Sequence, residues 1–221
     1  MKKYNIYATL IDAFAWYRAS ESDTSFQEFI DKINRKPFES EKADKGTAFN
    51  ELVDYLIHSK EINLLDTDKF ILYPFKNKLG KEYKFEFNKK IALEFAEYFQ
   101  YSLSQVAVNS DLHTSLGVVN LYGYVDEIKY GCAFDIKTTS SYNFPKYLNA
   151  WQHKVYLYCL LTSGSPIKEF EYTITDFNHL YKELYTWNQS YILDLINICE
   201  ELISFIELHK NLITDKKIYN D

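Results

Sequence analysis

The stretch GYVDEIKYGCAFDIKTTSS, Gly123 to Ser141, constrains this chain more than any other. Apolar and polar residues alternate on either side of Tyr130-Gly131, the pattern of two short strands joined by a two-residue turn. Counting outward from that turn pairs Lys129 with Cys132, Ile128 with Ala133, Glu127 with Phe134 and Asp126 with Asp135. Directly opposed residues share a face, with Cβ atoms roughly 4.5–5.5 Å apart. Two carboxylates therefore meet, and Lys137 lies on their face about 6.6 Å further along the strand. A shift of one residue would instead put the aspartates on opposite faces.

Opposed carboxylates destabilise a sheet unless something positive lies between them. A divalent cation with oxygen ligands meets that need, and magnesium takes one or two carboxylates with water and substrate phosphate completing its shell. Lys137 is then placed to polarise a water or to stabilise charge developing on phosphate. The same pattern also reads as a solvated strand face, with Lys137 neutralising one aspartate. Two helices extend the constellation. In WQHKVYLYCLL, Gln152 and Tyr156 are four apart and share a face, yet each also reads as ordinary helix surface or core. In KGTAFNELVDYL, Asn50 borders the apolar stripe with Asp54 on the same side, and Glu51 turns further toward solvent.

The remaining pattern is mixed helix and strand. Helix is expected over Thr9–Asn34, Thr47–Ser59, Lys89–Leu103, Tyr147–Leu161 and Leu180–His209, and KPFESEKADKG reads as a loop. The N-terminal stretch MKKYNIYATLIDAFAWY reads as an amphipathic helix, because Asp12 interrupts its apolar run and no small-residue cleavage site follows. FILYPFKNKLGKEYKFEFN suggests a hairpin, while SQVAVNSDL, GVVNLYGYVDEIKY, CAFDIKTT and EFEYTITDF suggest strands. The resulting central order is helix, three strands, helix, strand within one domain spanning 1–221.

Composition narrows the function classes. Three scattered cysteines among 221 residues fit neither a zinc knuckle, an iron–sulfur cluster nor a disulfide framework, and point to a reducing, cytoplasmic setting. No apolar run is long enough to span a membrane. A net charge of −6 argues against binding nucleic acid through global electrostatics, though not against a local basic groove, for which Lys146 and Lys154 are candidates. The 20 tyrosines and 16 phenylalanines read first as composition bias rather than as an aromatic binding platform.

GYVDEI, then AFDIK, then QHKVY resembles the PD-(D/E)XK nuclease superfamily in its RecB-like and phage-exonuclease branches. Their signature is G-x-x-D, then (D/E)-x-K, then Q-x-x-x-Y. The resemblance covers about Gly46 to Asp176 when KGTAFNE is counted as the helical first motif. It implies an α/β, restriction-endonuclease-like core with additional N- and C-terminal helices, and hydrolysis of DNA phosphodiester bonds with Mg2+ or Mn2+. Carried over, Asp126 and Asp135 are metal ligands, the Ile136 carbonyl is a further ligand, and Lys137 assists the attacking water. Gln152 and Tyr156 orient the site or hold a phosphate, and Glu51 matches an acidic residue that some members supply from the first helix. RecB-like members carry histidine where this chain has Asn50, which places a second metal site in question. The resemblance favours an exonuclease of phage or mobile-element origin acting in recombination, repair or replication. It leaves room for a homo-oligomer and for a recombination or replication protein partner. The alternative is a catalytically weak nuclease fold that binds DNA or a protein. A purely structural helical protein explains neither the hairpin charges nor the motif order.

Overall fold

The computed structural model describes residues 2–58 and 64–219. It opens with a strand, β1 (Lys3–Tyr7), that runs straight into helix α1 (Ala8–Ala19). The expected amphipathic helix is thus corrected over its first residues. Tyr4 and Ile6 are buried while Lys3, Asn5 and Tyr7 are only partly so, a period of two that five residues are too few to announce. The long helix expected through Asn34 breaks at Ser20, and α2 (Ser25–Ile33) follows. Helix α3 (Glu41–His58) begins inside the segment read as a loop, and its expected last residue, Ser59, lies outside the described residues.

Next come β2 (Leu65–Asp66), β3 (Phe70–Lys76) and β4 (Glu82–Asn88), an antiparallel three-stranded sheet that contains the expected hairpin. Asn88 caps α4 (Lys89–Tyr98) by accepting from the Lys90 amide; the helix stops short of Leu103, which instead starts β5 (Leu103–His113). Strands β6 (Val118–Lys129) and β7 (Cys132–Thr138) form the central hairpin. Helix α5 (Gln152–Thr162) starts later than the expected Tyr147 and crosses over to β8 (Glu169–Thr175), which lies parallel to β7. The helix expected over Leu180–His209 is another correction. Its first seven residues are β9 (Leu180–Thr186), antiparallel to β8, and only then does α6 (Ser190–Leu208) begin. A short 3-10 turn, Lys216–Ile218, ends the described fold.

The main sheet runs β1-β6-β7-β8-β9, with β5 joined to β6. Residues of α1, α2, α5 and α6 bury one of its faces; α3, α4 and the β3–β4 hairpin bury the other. Coverage on both sides explains why CAFDI and FEYTIT read as nearly unbroken buried runs. Many of the aromatics are core. Phe14, Tyr17, Phe29 and Phe205 pack ring against ring where α1, α2 and α6 meet, and Phe49 packs edge-on against Phe87, Phe95 and Phe177. Cys132, Cys159 and Cys199 are free and buried. Among the described residues no helix is long and apolar enough to cross a membrane.

The central hairpin has the expected register, pairing Lys129 with Cys132, Ile128 with Ala133 and Glu127 with Phe134. Its turn residues Tyr130 and Gly131 have φ of 51° and 80°. Positive values at both positions match the right-handed twist of the strands. A Cβ at Gly131 would meet open space, so only backbone strain opposes it. Gly131→Ala is therefore expected to cost about 1 kcal/mol, read as a lower urea midpoint with an unchanged slope.

Candidate active site at the strand fork

Strand β6 has one continuous neighbour and two partial ones. β5 lies along one edge for the length of the strand, whereas the other edge pairs with β1 over Val118–Tyr122 and with β7 only over Glu127–Lys129. Gly123 to Asp126 lie in the fork between them. Tyr156, reaching down from α5, fills the space above Gly123. A Cβ there would stand 2.6 Å from the ring and 2.8 Å from the hydroxyl, so this position requires glycine for close approach. Gly46 plays the matching part on α3, where a Cβ would fall 2.6 Å from Oγ1 of Thr138, next to Lys137.

At Asp126 both ladders lapse. Gln105 and Asp126 face each other across β5 and β6, yet the pairing passes from Ser104–Glu127 to Val106–Val125 without them, and Gln105 has φ of 52°. The β6–β7 ladder also ends at Glu127–Phe134. The Asp126 carboxylate takes over the missing bond, its Oδ2 accepting from the Ile136 amide at 2.8 Å while Oδ1 accepts from Gln105 Nε2 at 3.3 Å. The three paired positions match the expected register, while Asp126 and Asp135 lie beyond the end of the ladder. The carboxylate reaches one residue past its expected partner.

Asp135, Lys137 and Gln152 close a ring of polar contacts. Asp135 is 3% exposed; its Oδ1 accepts from Gln152 Nε2 at 2.8 Å, and its Oδ2 lies 2.6 Å from Lys137 Nζ. The contact to Lys137 is an ion pair. Lys137 donates to Gln152 Oε1 at 2.6 Å. Gln152 thus donates to the carboxylate and accepts from the ammonium, which fixes its amide orientation, since the reverse would set NH2 against NH3+. Its Nε2 is also 3.4 Å from the Tyr156 hydroxyl.

Burial and neighbouring charges together set the electrostatics. Burial, reinforced by the Asp135 charge, pushes the Asp126 carboxyl up to about 7 against the opposing pull of Lys137. Burial alone would lower the Lys137 ammonium, but the Asp135 and Asp126 charges outweigh it and hold the group above its usual value, hence charged. Burial pushes the Tyr156 phenol up to about 12, so it stays a neutral donor.

Helix α3 delivers Asn50 and Asp54 and keeps Glu51 out. Asn50 Nδ2 lies 3.4 Å from the Ile136 carbonyl oxygen, and its own Oδ1 is buried with no hydrogen-bond partner among the described residues. One turn later, Asp54 meets fully buried Glu127, whose Oε2 accepts from Ser102 Oγ at 2.5 Å and Ser104 Oγ at 2.9 Å. Burial, with Asp54 adding to it, pushes the Glu127 carboxyl up to about 7 where α3 meets β6. Glu51 is exposed beside Tyr73 and Asp54, and is not brought to Asp126 or Asp135. Its expected ligand position is corrected, because one step along a helix turns the side chain by about 100°.

Two further departures concern charge. Lys154 is paired with Asp194, 2.8 Å away on α6, whereas Lys146 is exposed and its ammonium bonds to Thr139 and to the Ser141 carbonyl. Asp12, in contrast, belongs to the site's surroundings. Its Oδ1 accepts from the Trp151 amide at 2.6 Å, just before Gln152, and burial raises its carboxyl while the Lys137 and Asp135 charges both reach it. The signal was a lone acid inside the apolar run ATLIDAFAWY.

No protein-family model matches the chain, and no curated protein matches it either. Among solved structures, the fold is shared with a crystal structure described as a putative exonuclease from Eubacterium rectale. The two are 12% identical with a TM-score of 0.52, over 94% of this chain and 81% of the other. A crystal structure of SSO0001, also 12% identical, aligns with a TM-score of 0.47 over 91% of this chain and 75% of its own. At this identity the likeness is one of fold, an α/β core built on a central sheet.

Proposed function

We propose that the protein is a metal-dependent deoxyribonuclease of the PD-(D/E)XK kind, an exonuclease acting in DNA recombination, repair or replication. The observation that carries this reading is the convergence of Asp126, Asp135 and Lys137 at the fork of β6. The donors suit a hard divalent cation. Burial, with the Asp135 charge adding to it, raises the Asp126 carboxyl to about 7, and Asn50 leaves a buried amide oxygen without a partner among the described residues, beside the Ile136 carbonyl. Asp126, Asp135, the Ile136 carbonyl and Asn50 Oδ1 would hold Mg2+ or Mn2+. When bound, such an ion lowers the pKa of a water and polarises a phosphoryl oxygen.

The chain's own groups do the positioning. Lys137, held charged by Asp135 and steered by Gln152, offers an ammonium where negative charge grows as the P–O bond breaks. Tyr156 keeps its proton and offers a hydroxyl beside the Gln152 amide. The second reading, a nuclease fold that binds DNA or a protein with little catalysis, draws on one observation. Asn50 supplies an amide where an imidazole or carboxylate would bind a second ion more firmly.

Asp135→Asn and Lys137→Ala are each expected to lower cleavage of end-labelled linear DNA by roughly 100-fold or more, with circular dichroism unchanged. Absence of cleavage by the unaltered chain with any divalent ion would decide for the second reading. Gly123→Ala displaces Tyr156, and is expected to slow cleavage by roughly tenfold or more, as misplacement does, while Mn2+ binding by calorimetry persists.

The raised Asp126 carboxyl sets two pH trends. Its folded value of about 7 lies above the ordinary carboxylate value, so its stabilising contribution is full in acid, below about 4. That contribution is lost as pH rises through about 7. Metal-free protein should therefore lose thermal stability across that interval, and Asp126→Asn should reduce the loss, leaving the part due to Glu127, which is raised to about 7 as well. Mn2+ must displace the same proton, so calorimetric affinity is expected to fall as pH drops below about 7.

A further inference from the structure

A cleft of about 450 Å³ opens between the α2–α3 connection and the turn joining β3 to β4. Lys32, Arg35, Phe38, Thr47 and Lys78 line it together with Asp44. Asp44 is already engaged, accepting from Asn77 Nδ2 at 2.8 Å. Arg35 is anchored to Asp215 at 2.6 Å and donates to the Tyr122 hydroxyl at 2.5 Å, which fixes its guanidinium next to the Gly123 end of the fork. Neither Lys32 nor Lys78 has a carboxylate within ion-pair distance among the described residues, and both are exposed. The cleft is thus net positive on a chain whose total charge is −6.

Its walls are pinned and it leads to the carboxylates. The Asn77–Asp44 bond ties the hairpin turn to α3, and Lys81 pairs with Glu39 at 2.6 Å to tie β4's start to the α2–α3 connection. Ala43 and Thr47 line the cleft, and Asn50, which touches the Ile136 carbonyl, follows on the same face of α3. Phe38 stands at the rim, 85% exposed, with a free aromatic face. An opening of this volume is the size of a small-molecule pocket. Cations along a groove with an aromatic platform are what a single nucleic-acid strand requires.

We propose that this cleft binds the sugar–phosphate backbone of a single DNA strand, with a base stacked on Phe38, and feeds that strand to Asp126 and Asp135. The inference rests on the nuclease reading for its direction but is tested without cleavage. In EDTA, the full chain is titrated into fluorescein-labelled oligothymidylate and into a blunt duplex of equal length, and anisotropy is read across a range of salt. The unaltered chain should prefer the single strand. The Lys32→Ala, Lys78→Ala double variant should bind it roughly tenfold more weakly, with a salt slope shallower by about 1.4, two phosphates at about 0.7 each. Phe38→Ala should cost roughly fivefold or more, and duplex binding should not change for either variant. All three side chains are exposed, so melting temperatures should match the unaltered chain. Single-strand binding equal to wild type in both variants, equal losses on duplex, or no preference for the single strand would overturn the proposal. Cleavage without this binding would sink the cleft and spare the nuclease reading, and binding without cleavage would do the reverse.

Discussion

The hydrogen bond from the Ile136 amide to the Asp126 carboxylate is the contact on which the rest of the site depends. It forms only because β6 changes neighbours, leaving β1 at Tyr122 and meeting β7 at Glu127. In an unbroken sheet the Ile136 amide would find a backbone carbonyl, and the Asp126 carboxylate would not be drawn to it. The fork turns a backbone shortage into a side-chain contact. In doing so it presses two carboxylates together in a place water reaches poorly. The raised Asp126 carboxyl is the energetic trace of that crowding.

Everything around the fork limits how that strain can relax. Gln152 and Lys137 hold Asp135 from the α5 side, and Asp12 secures the start of α5 through the Trp151 amide. On the opposite face Asn50 meets the Ile136 carbonyl, while one turn away Asp54 faces the buried Glu127 carboxyl. The two glycines at the contacts with Tyr156 and Thr138 let both helices approach this closely. Relief then comes from a proton on Asp126 or from a cation, and at neutral pH the proton is only marginally held. This is the physical link between the fold and the proposed chemistry.

How much of this was legible in the sequence differs by element. The hairpin register was readable because a two-residue turn fixes the count, and Tyr130-Gly131 adopts the two positive φ values that count requires. Asn50 was separable from Glu51 because a helix wheel distinguishes adjacent residues by a wide angle. β1 was missed because KYNIY is short and continuous with the helix after it. β9 was missed because LYKELYT has residues that serve a helix as well, and its pairing with β8 is a tertiary fact that local pattern does not carry. Lys154 and Asp12 were misjudged for a shared reason: their partners, Asp194 and the Trp151 amide, are 40 and 139 positions away.

The central claim is that Asp126 and Asp135 together hold a divalent cation. Anomalous diffraction from crystals soaked in Mn2+ tests it most directly. A peak bounded by the Asp126 and Asp135 carboxylates and the Ile136 carbonyl is expected, lost in the Asp126→Asn, Asp135→Asn double variant. A peak elsewhere with this position empty, or one that survives the double substitution, would contradict it.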